Sequence, residues 1–98
     1  PVDVYVGKEI NGSGSVKKIS EISEDDLILD IGPETVKILS KIIEQSKTVL
    51  WNGPAGYFEN PNFANGSYEI AKKIIEKNKA EIAFPTQTID VKSFSGLE

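Results

Sequence analysis

Residues 48–59 read Thr-Val-Leu-Trp-Asn-Gly-Pro-Ala-Gly-Tyr-Phe-Glu, and they hold the residue types most able to do chemistry in this chain. The apolar run Val49-Leu50-Trp51 is expected to form a buried strand. It stops at a polar loop containing Asn52, Gly53, Pro54 and Gly56, and Glu59 follows. In open α/β sheets, ligands bind beyond the carboxyl ends of the strands. Gly lets a backbone approach a ligand closely, Pro fixes the path of the loop, and Asn offers a donor and an acceptor. A Gly-Pro loop is equally the ordinary punctuation after a strand. Local physics leaves both readings standing.

Composition narrows the chemistry. The 98 residues carry a net charge of −4 and make one domain at most, with a small core. Cysteine is absent, which excludes disulfides and Cys-based metal sites. Histidine is absent too, which removes Ser-His, Cys-His and His-metal chemistry. No apolar run approaches the roughly 18 residues of a membrane span, and nothing resembles a signal peptide. A mildly acidic chain with scattered Lys is a poor nucleic-acid binder. The expected setting is the cytoplasm, with neither membrane nor nucleic acid as partner.

The elements that position the loop follow a strand–helix alternation. Val2 to Val6 reads as a strand, Asn11 to Ser15 as a flexible turn, and Val16 to Ile19 as a short strand. Ser23-Glu24-Asp25-Asp26 reads as a solvated acidic loop. Leu27 to Ile31 is a further strand. Gly32-Pro33 starts a helix over residues 33–46, because Pro suits the first helical position and Glu34 the positive end of the dipole. Val36, Leu39, Ile42 and Ile43 mark its buried face. A second helix spans residues 66–78, with Ile70, Ala71, Ile74 and Ile75 inward and Lys72, Lys73 and Lys77 toward solvent. Glu81 to Phe84 reads as a last strand. The fold class expected is α/β, a Rossmann-like βαβ unit on a mainly parallel sheet. The first strand and the 48–51 and 81–84 strands form the parallel set. Leu27–Ile31 and the residue 7–22 hairpin pair at an edge.

Trp51-Asn52-Gly53-Pro54-Ala55-Gly56-Tyr57-Phe58-Glu59, followed by Phe63-Ala64-Asn65-Gly66-Ser67, resembles the Trp-Asn-Gly-Pro-x-Gly-x-Phe-Glu…Phe-Ala-x-Gly-Thr signature of phosphoglycerate kinase. Leu29-Asp30-Ile31-Gly32-Pro33-Glu34-Thr35 resembles that family's Leu-Asp-Ile-Gly-Pro-x-Thr, and Pro1-Val2-Asp3-Val4 its Leu-Pro-Val-Asp-Val. The matches lie in the family's order, in part of its C-terminal, nucleotide-binding domain. The resemblance implies phosphoryl transfer between 1,3-bisphosphoglycerate and ADP, with Mg-ADP or Mg-ATP as the nucleotide. By position, it places Asn52 near the nucleotide phosphates. Pro54, Gly56 and Tyr57 line the pocket, Glu59 meets the ribose hydroxyls, and Leu29 meets the adenine ring. Leu29 reads equally as plain core, and Asp30 as a residue of the helix N-cap region. Tyr57 stands where the family carries a small aliphatic residue, and Ile28 where many members have Gly.

The departures from that family lie at the end of the chain. Its Gly-Gly-Gly-Asp-Thr motif opens a helix toward the transferring phosphate and supplies a metal carboxylate. Here Glu81-Ile82-Ala83-Phe84 runs into Pro85-Thr86-Gln87-Thr88, without those glycines, and Asp90 falls inside the helix that would follow. Residues 1–84 resemble the family and residues 85–98 diverge. No lysine matches a catalytic position. The chain is therefore expected to be a fragment of phosphoglycerate kinase that is inactive alone, with no catalytic and no metal residue. Its partners are expected to be an adenine nucleotide, weakly held, and the missing kinase segments or a second copy joined through sheet edges. The alternatives are a non-catalytic nucleotide-binding module and an interaction remnant of a split or decayed gene.

Overall fold

The computed structural model describes residues 1–78. The chain runs through strands β1 (Asp3–Gly7) and β2 (Gly14–Lys18), a 3-10 turn (Ile19–Glu21) and strand β3 (Leu27–Ile31). Helix α1 (Pro33–Gln45), a second 3-10 turn (Pro61–Phe63) and helix α2 (Asn65–Asn78) follow. β-Branched Val4 and Val6 make β1 a good strand, and both are buried in the core with Ile43, Phe63 and Ile74. The sheet order is β2-β1-β3, and both pairings are antiparallel. α1 packs on β1, α2 on β3, and the helices on each other.

This sheet corrects the parallel arrangement expected from the sequence. Parallel neighbours need a long crossover, usually helical. The loops 8–13 and 19–26 are short, and α1 follows β3 without leading back into the described sheet. β1 is the centre of an antiparallel sheet, not a member of a parallel set, and its partners are the two strands expected at an edge. Residues 48–51 form no strand, and Leu50 is 85% exposed. The expected strand 81–84 and the motif departures at 85–90 lie outside the described residues. The helices agree with expectation within a residue at each end, although Ile42 is 53% exposed rather than buried.

The starts of both helices explain how they are seated. α1 begins after Gly32, which has no side chain to cap the first turn. Asp3 of β1 supplies the cap. Its Oδ2 accepts from Glu34 N at 3.0 Å and its Oδ1 from Thr35 N at 2.8 Å. The Thr35 hydroxyl donates to Asp3 Oδ1 at 2.7 Å and accepts from Val2 N and Asp3 N. A Cβ on Gly32 would stand 2.3 Å from Asp3 Cγ, so the glycine makes room for the carboxylate. Burial alone raises the pKa of Asp3. The Thr35 hydroxyl and the Glu34 and Thr35 N–H groups outweigh burial and hold it below its ordinary 3.8.

Two cationic ties complete the frame. Lys77 of α2 donates to the carbonyls of Ile43, Glu44 and Ser46, where α1 has no basic residue of its own in its last turn. This favours the negative end of the α1 dipole. Lys77 thus docks on α1 rather than simply facing solvent, and Lys73 meets Glu44 at 3.0 Å. The acidic loop is also no plain solvated surface. The side chain of Asp26 is 1% exposed. It accepts from Lys17 Nζ at 2.7 Å, Lys8 Nζ at 3.0 Å and Ser23 N at 2.9 Å. The Lys17 ammonium first, then Ser23 N–H and Lys8, hold its pKa far below the carboxylate range.

Because Asp3, Asp25 and Asp26 all have lowered pKa values, their stabilisation is full above 3.8 and is lost as pH falls through the lowered values. Asp3→Asn is expected to lower stability at about pH 7 by about 1–3 kcal/mol, since charged acceptors of buried N–H groups carry that order of energy. It should also flatten the acid limb below 3.8. Urea unfolding followed across pH for both proteins tests this, and an unchanged acid limb would count against Asp3 as the α1 cap.

Candidate functional site

The loop that follows residues 48–51 is held against β3 at a bulge. β1 pairs Tyr5 with Asp30 and Val6 with Ile28, which leaves Leu29 as an extra residue on β3. The Leu29 carbonyl accepts from Tyr57 N at 2.7 Å. Gly56 is pressed so close that a Cβ there would stand 2.5 Å from Leu29 O and 2.6 Å from Asp30 Oδ1. Gly53 is needed for another reason. Its φ is +154°, a backbone shape that L-residues rarely adopt. At the far side of the loop, Ala55 N donates to Ser67 Oγ at 2.8 Å, in the first turn of α2.

Asp30 joins the loop, the sheet and α2. It is 2% exposed. Its Oδ2 accepts from Gly66 N and its Oδ1 from its neighbour Ile31 N, both at 2.9 Å. It therefore caps α2, not the helix that follows it directly, where the sequence placed it. A Cβ on Gly66 would lie 2.4 Å from Asp30 Oδ1, which repeats the pairing of Gly32 with Asp3. Burial pushes the Asp30 pKa up, against the two backbone N–H groups, and the net direction is upward.

The loop has two faces. On one lies a cleft of about 400 Å³ between β3 and the loop, lined among others by Leu29, Pro54, Gly56 and Tyr57. On the other, Trp51, Pro54, Phe58, Ala64, Tyr68 and Ala71 line an apolar cleft of about 360 Å³ against α2. Of the six residues singled out in the sequence, the first cleft brings four together. Asn52 and Glu59 are exposed and do not line it. Asp30 and Ser67 fix the loop, as does Asn60 described below, and sequence reasoning assigned none of these roles. Asn60-Pro61 carried a usable signal, because Asn before Pro favours the start of a turn.

Phe63 anchors the end of the loop. It is fully buried and lies over Gly7 and Gly14, which face each other across β1 and β2. A Cβ on Gly14 would meet Phe63 Cε1 at 2.5 Å, and one on Gly7 would meet Phe63 Cζ at 3.1 Å. An aromatic ring over paired glycines restores the packing that they lack.

A phosphoglycerate kinase family model matches residues 1–89. The chain belongs to the phosphoglycerate kinase family. The phosphoglycerate kinase of Francisella tularensis subsp. tularensis is 42% identical over 91 residues, and that of F. tularensis subsp. novicida 41%. Both alignments cover 91% of this chain and 23% of the relative, so the chain spans less than a quarter of the length of those proteins. Among solved structures, phosphoglycerate kinase from Coxiella burnetii superposes with a TM-score of 0.75 at 34% identity, over 80% of this chain and 21% of that one. Phosphoglycerate kinase from Pyrococcus horikoshii gives 0.70 at 28% identity, over 80% and 20%. The described sheet and helices are thus one part of the phosphoglycerate kinase fold. No helix among the described residues is long and apolar enough to cross a membrane.

Gly56→Ala is expected to break the Tyr57–Leu29 contact and to destabilise the chain by about 1–3 kcal/mol, the usual cost of forcing an atom into a filled site. Thermal unfolding measures the loss, and Trp51 fluorescence reports the displaced loop. A variant as stable as the parent, with the same spectrum, would show that the loop does not rest on β3.

Proposed function

We propose that this chain is the part of a phosphoglycerate kinase that receives the nucleoside end of an adenine nucleotide, and that it has no kinase activity alone. One observation supports this most. The β3 bulge and the loop bring Leu29, Pro54, Gly56 and Tyr57 together at one cleft. Its volume falls in the range of about 300–1,000 Å³ usual for small-molecule sites. Its walls suit a flat ring, and the exposed carboxylate of Glu59 suits two neighbouring hydroxyls. Asn52 is assigned to the phosphate end. Among the described residues no lysine lines the cleft, and the only carboxylate there, Asp30, is engaged with backbone N–H groups, so the fit is to the base and ribose rather than to the phosphates or to Mg²⁺.

In the whole protein the reaction is phosphoryl transfer between an acyl phosphate, 1,3-bisphosphoglycerate, and ADP, in the cytoplasm. Such transfer rests on positioning and on neutralising charge around the transferring group. When bound, Mg²⁺ with the nucleotide supplies part of that neutralisation. This chain's own residues orient the nucleoside: the Leu29–Tyr57 bond fixes the cleft wall, and Gly56 permits the close approach. Residues 1–84 are assigned to the nucleotide-binding domain and 85–98 to a diverged tail, so the phosphate-facing half of the site is not supplied here. The kinase segments outside this chain are the partner that would complete it.

AMP and ADP should bind the folded chain about equally, at millimolar order or roughly −4 kcal/mol, and Mg²⁺ should change little. Calorimetric titration with AMP, ADP and Mg-ADP decides this, and a tenfold preference for Mg-ADP would mean that a phosphate and metal site is present. A coupled assay of the purified chain should show no turnover above background. Turnover that survives repurification and disappears in Asn52→Ala would refute the claim of inactivity.

A further inference from the structure

We propose that Asn60 is a positioning residue: it ties the turn that carries Glu59 to the β1–β2 turn, and so sets where the Glu59 carboxylate stands. This rests on the nucleotide reading of the loop. Asn60 is fully committed. Its Nδ2 donates to Ile10 O at 2.8 Å and to Gly12 O at 3.0 Å, some fifty residues earlier in the chain. Its Oδ1 accepts from Asn62 N at 3.0 Å. Its backbone N donates to Tyr57 O at 3.2 Å, and its backbone O accepts from Phe63 N at 2.9 Å. The orientation of the amide is unambiguous, because two carbonyls require the NH₂ and a backbone N–H requires the oxygen.

Glu59 is exposed, and it sits between this anchor and Phe58, whose N–H donates to Gly56 O at 2.9 Å. Its backbone is therefore fixed from both sides while its carboxylate stays open to a ligand. Asn62 Nδ2 reaches the same Gly12 carbonyl at 3.1 Å, but this side chain lies on the 3-10 turn beyond Asn60 and makes no bond to the 57–60 turn; Asn62 meets Asn60 through its backbone N–H alone. Phe63 over the Gly7–Gly14 pair secures the same hairpin to the same loop by packing. The β1–β2 turn, whose residues 8–13 are not in the lining of the Leu29–Tyr57 cleft, thus becomes a determinant of ribose recognition.

The test is the preference for ADP over 2′-deoxy-ADP, which reads the Glu59 carboxylate against a ribose hydroxyl. Asn60→Asp keeps the acceptor for Asn62 N and places a carboxylate against two carbonyl oxygens, so it releases the hairpin with little change of shape. The parent should prefer ADP by about tenfold, as for one hydrogen bond to a charged group. Glu59→Gln should reduce that preference strongly, Asn60→Asp should bring it near unity, and Asn62→Ala should keep it. A purely structural role for Asn60 weakens both ligands equally and leaves the ratio alone. In amide spectra without nucleotide, Asn60→Asp should shift Glu59 and Gly12 together and leave Glu34 and Thr35 unmoved. A parent without ribose preference would sink the nucleotide reading, and this proposal with it. A parent preference that Glu59→Gln removes and Asn60→Asp retains would leave that reading standing and overturn the role of Asn60, as would a Glu59 amide that stays in place while Gly12 moves.

Discussion

Each of the two described helices starts at a carboxylate that belongs to the sheet. The first backbone N–H groups of a helix lack intrahelical partners, and burying them unpaired costs free energy. Asp3 of β1 takes those of α1, and Asp30 of β3 takes that of Gly66 in α2. Both aspartates are buried, and each meets the helix at a glycine whose missing side chain leaves the space. The sheet therefore positions the helices by hydrogen bonds as well as by apolar contact. The two carboxylates differ in cost. Asp3 also gains the Thr35 hydroxyl and is held in its charged form, whereas Asp30 has backbone donors alone and burial dominates.

The cleft depends on the same constraint. Leu29 and Asp30 are neighbours, and the bulge at Leu29 gives its carbonyl to the loop while Asp30 turns to α2. One short stretch of β3 thus holds both the start of α2 and the loop in front of it. Ser67 closes the ring by accepting from Ala55 N. At the opposite end, Lys77 caps the last carbonyls of α1, so that helix is held by a charge from outside itself at both termini.

What could be read from the sequence follows from what is local. The two helices and β3 were legible because apolar period, Pro33 and the glycines are local signals. The loop from Asn52 to Glu59 was legible because its residue types carry their own geometry. Strand pairing was not legible. Val49-Leu50-Trp51 signals apolar surface, but a strand exists only in a ladder, and the described sheet is completed by β1, β2 and β3. Asp26 looked like solvated charge because its partners, Lys8 and Lys17, lie on another strand and a turn. Ile42 fitted the helical period yet is exposed, because period marks a face without saying what covers it. Asp30 seemed to serve the helix just after it. Its reach to residue 66 needed the bulge, which no local pattern announces.

The pairing of an aspartate with a distant glycine has an evolutionary consequence. Positions 3 and 32, and likewise 30 and 66, occupy one volume between them. A side chain cannot enter at 32 while the carboxylate stays at 3. A capping side chain at 32 together with a small residue at 3 would instead be self-consistent, since Asp and Ser are good local caps. Either change alone is damaging and the two together are compatible, so the cap can migrate between strand and helix only by passing through a weakened intermediate. Change at one position at a time is thereby expected to keep one placement of the carboxylate, with the aspartate and its glycine acting as a unit although some thirty residues of chain lie between them.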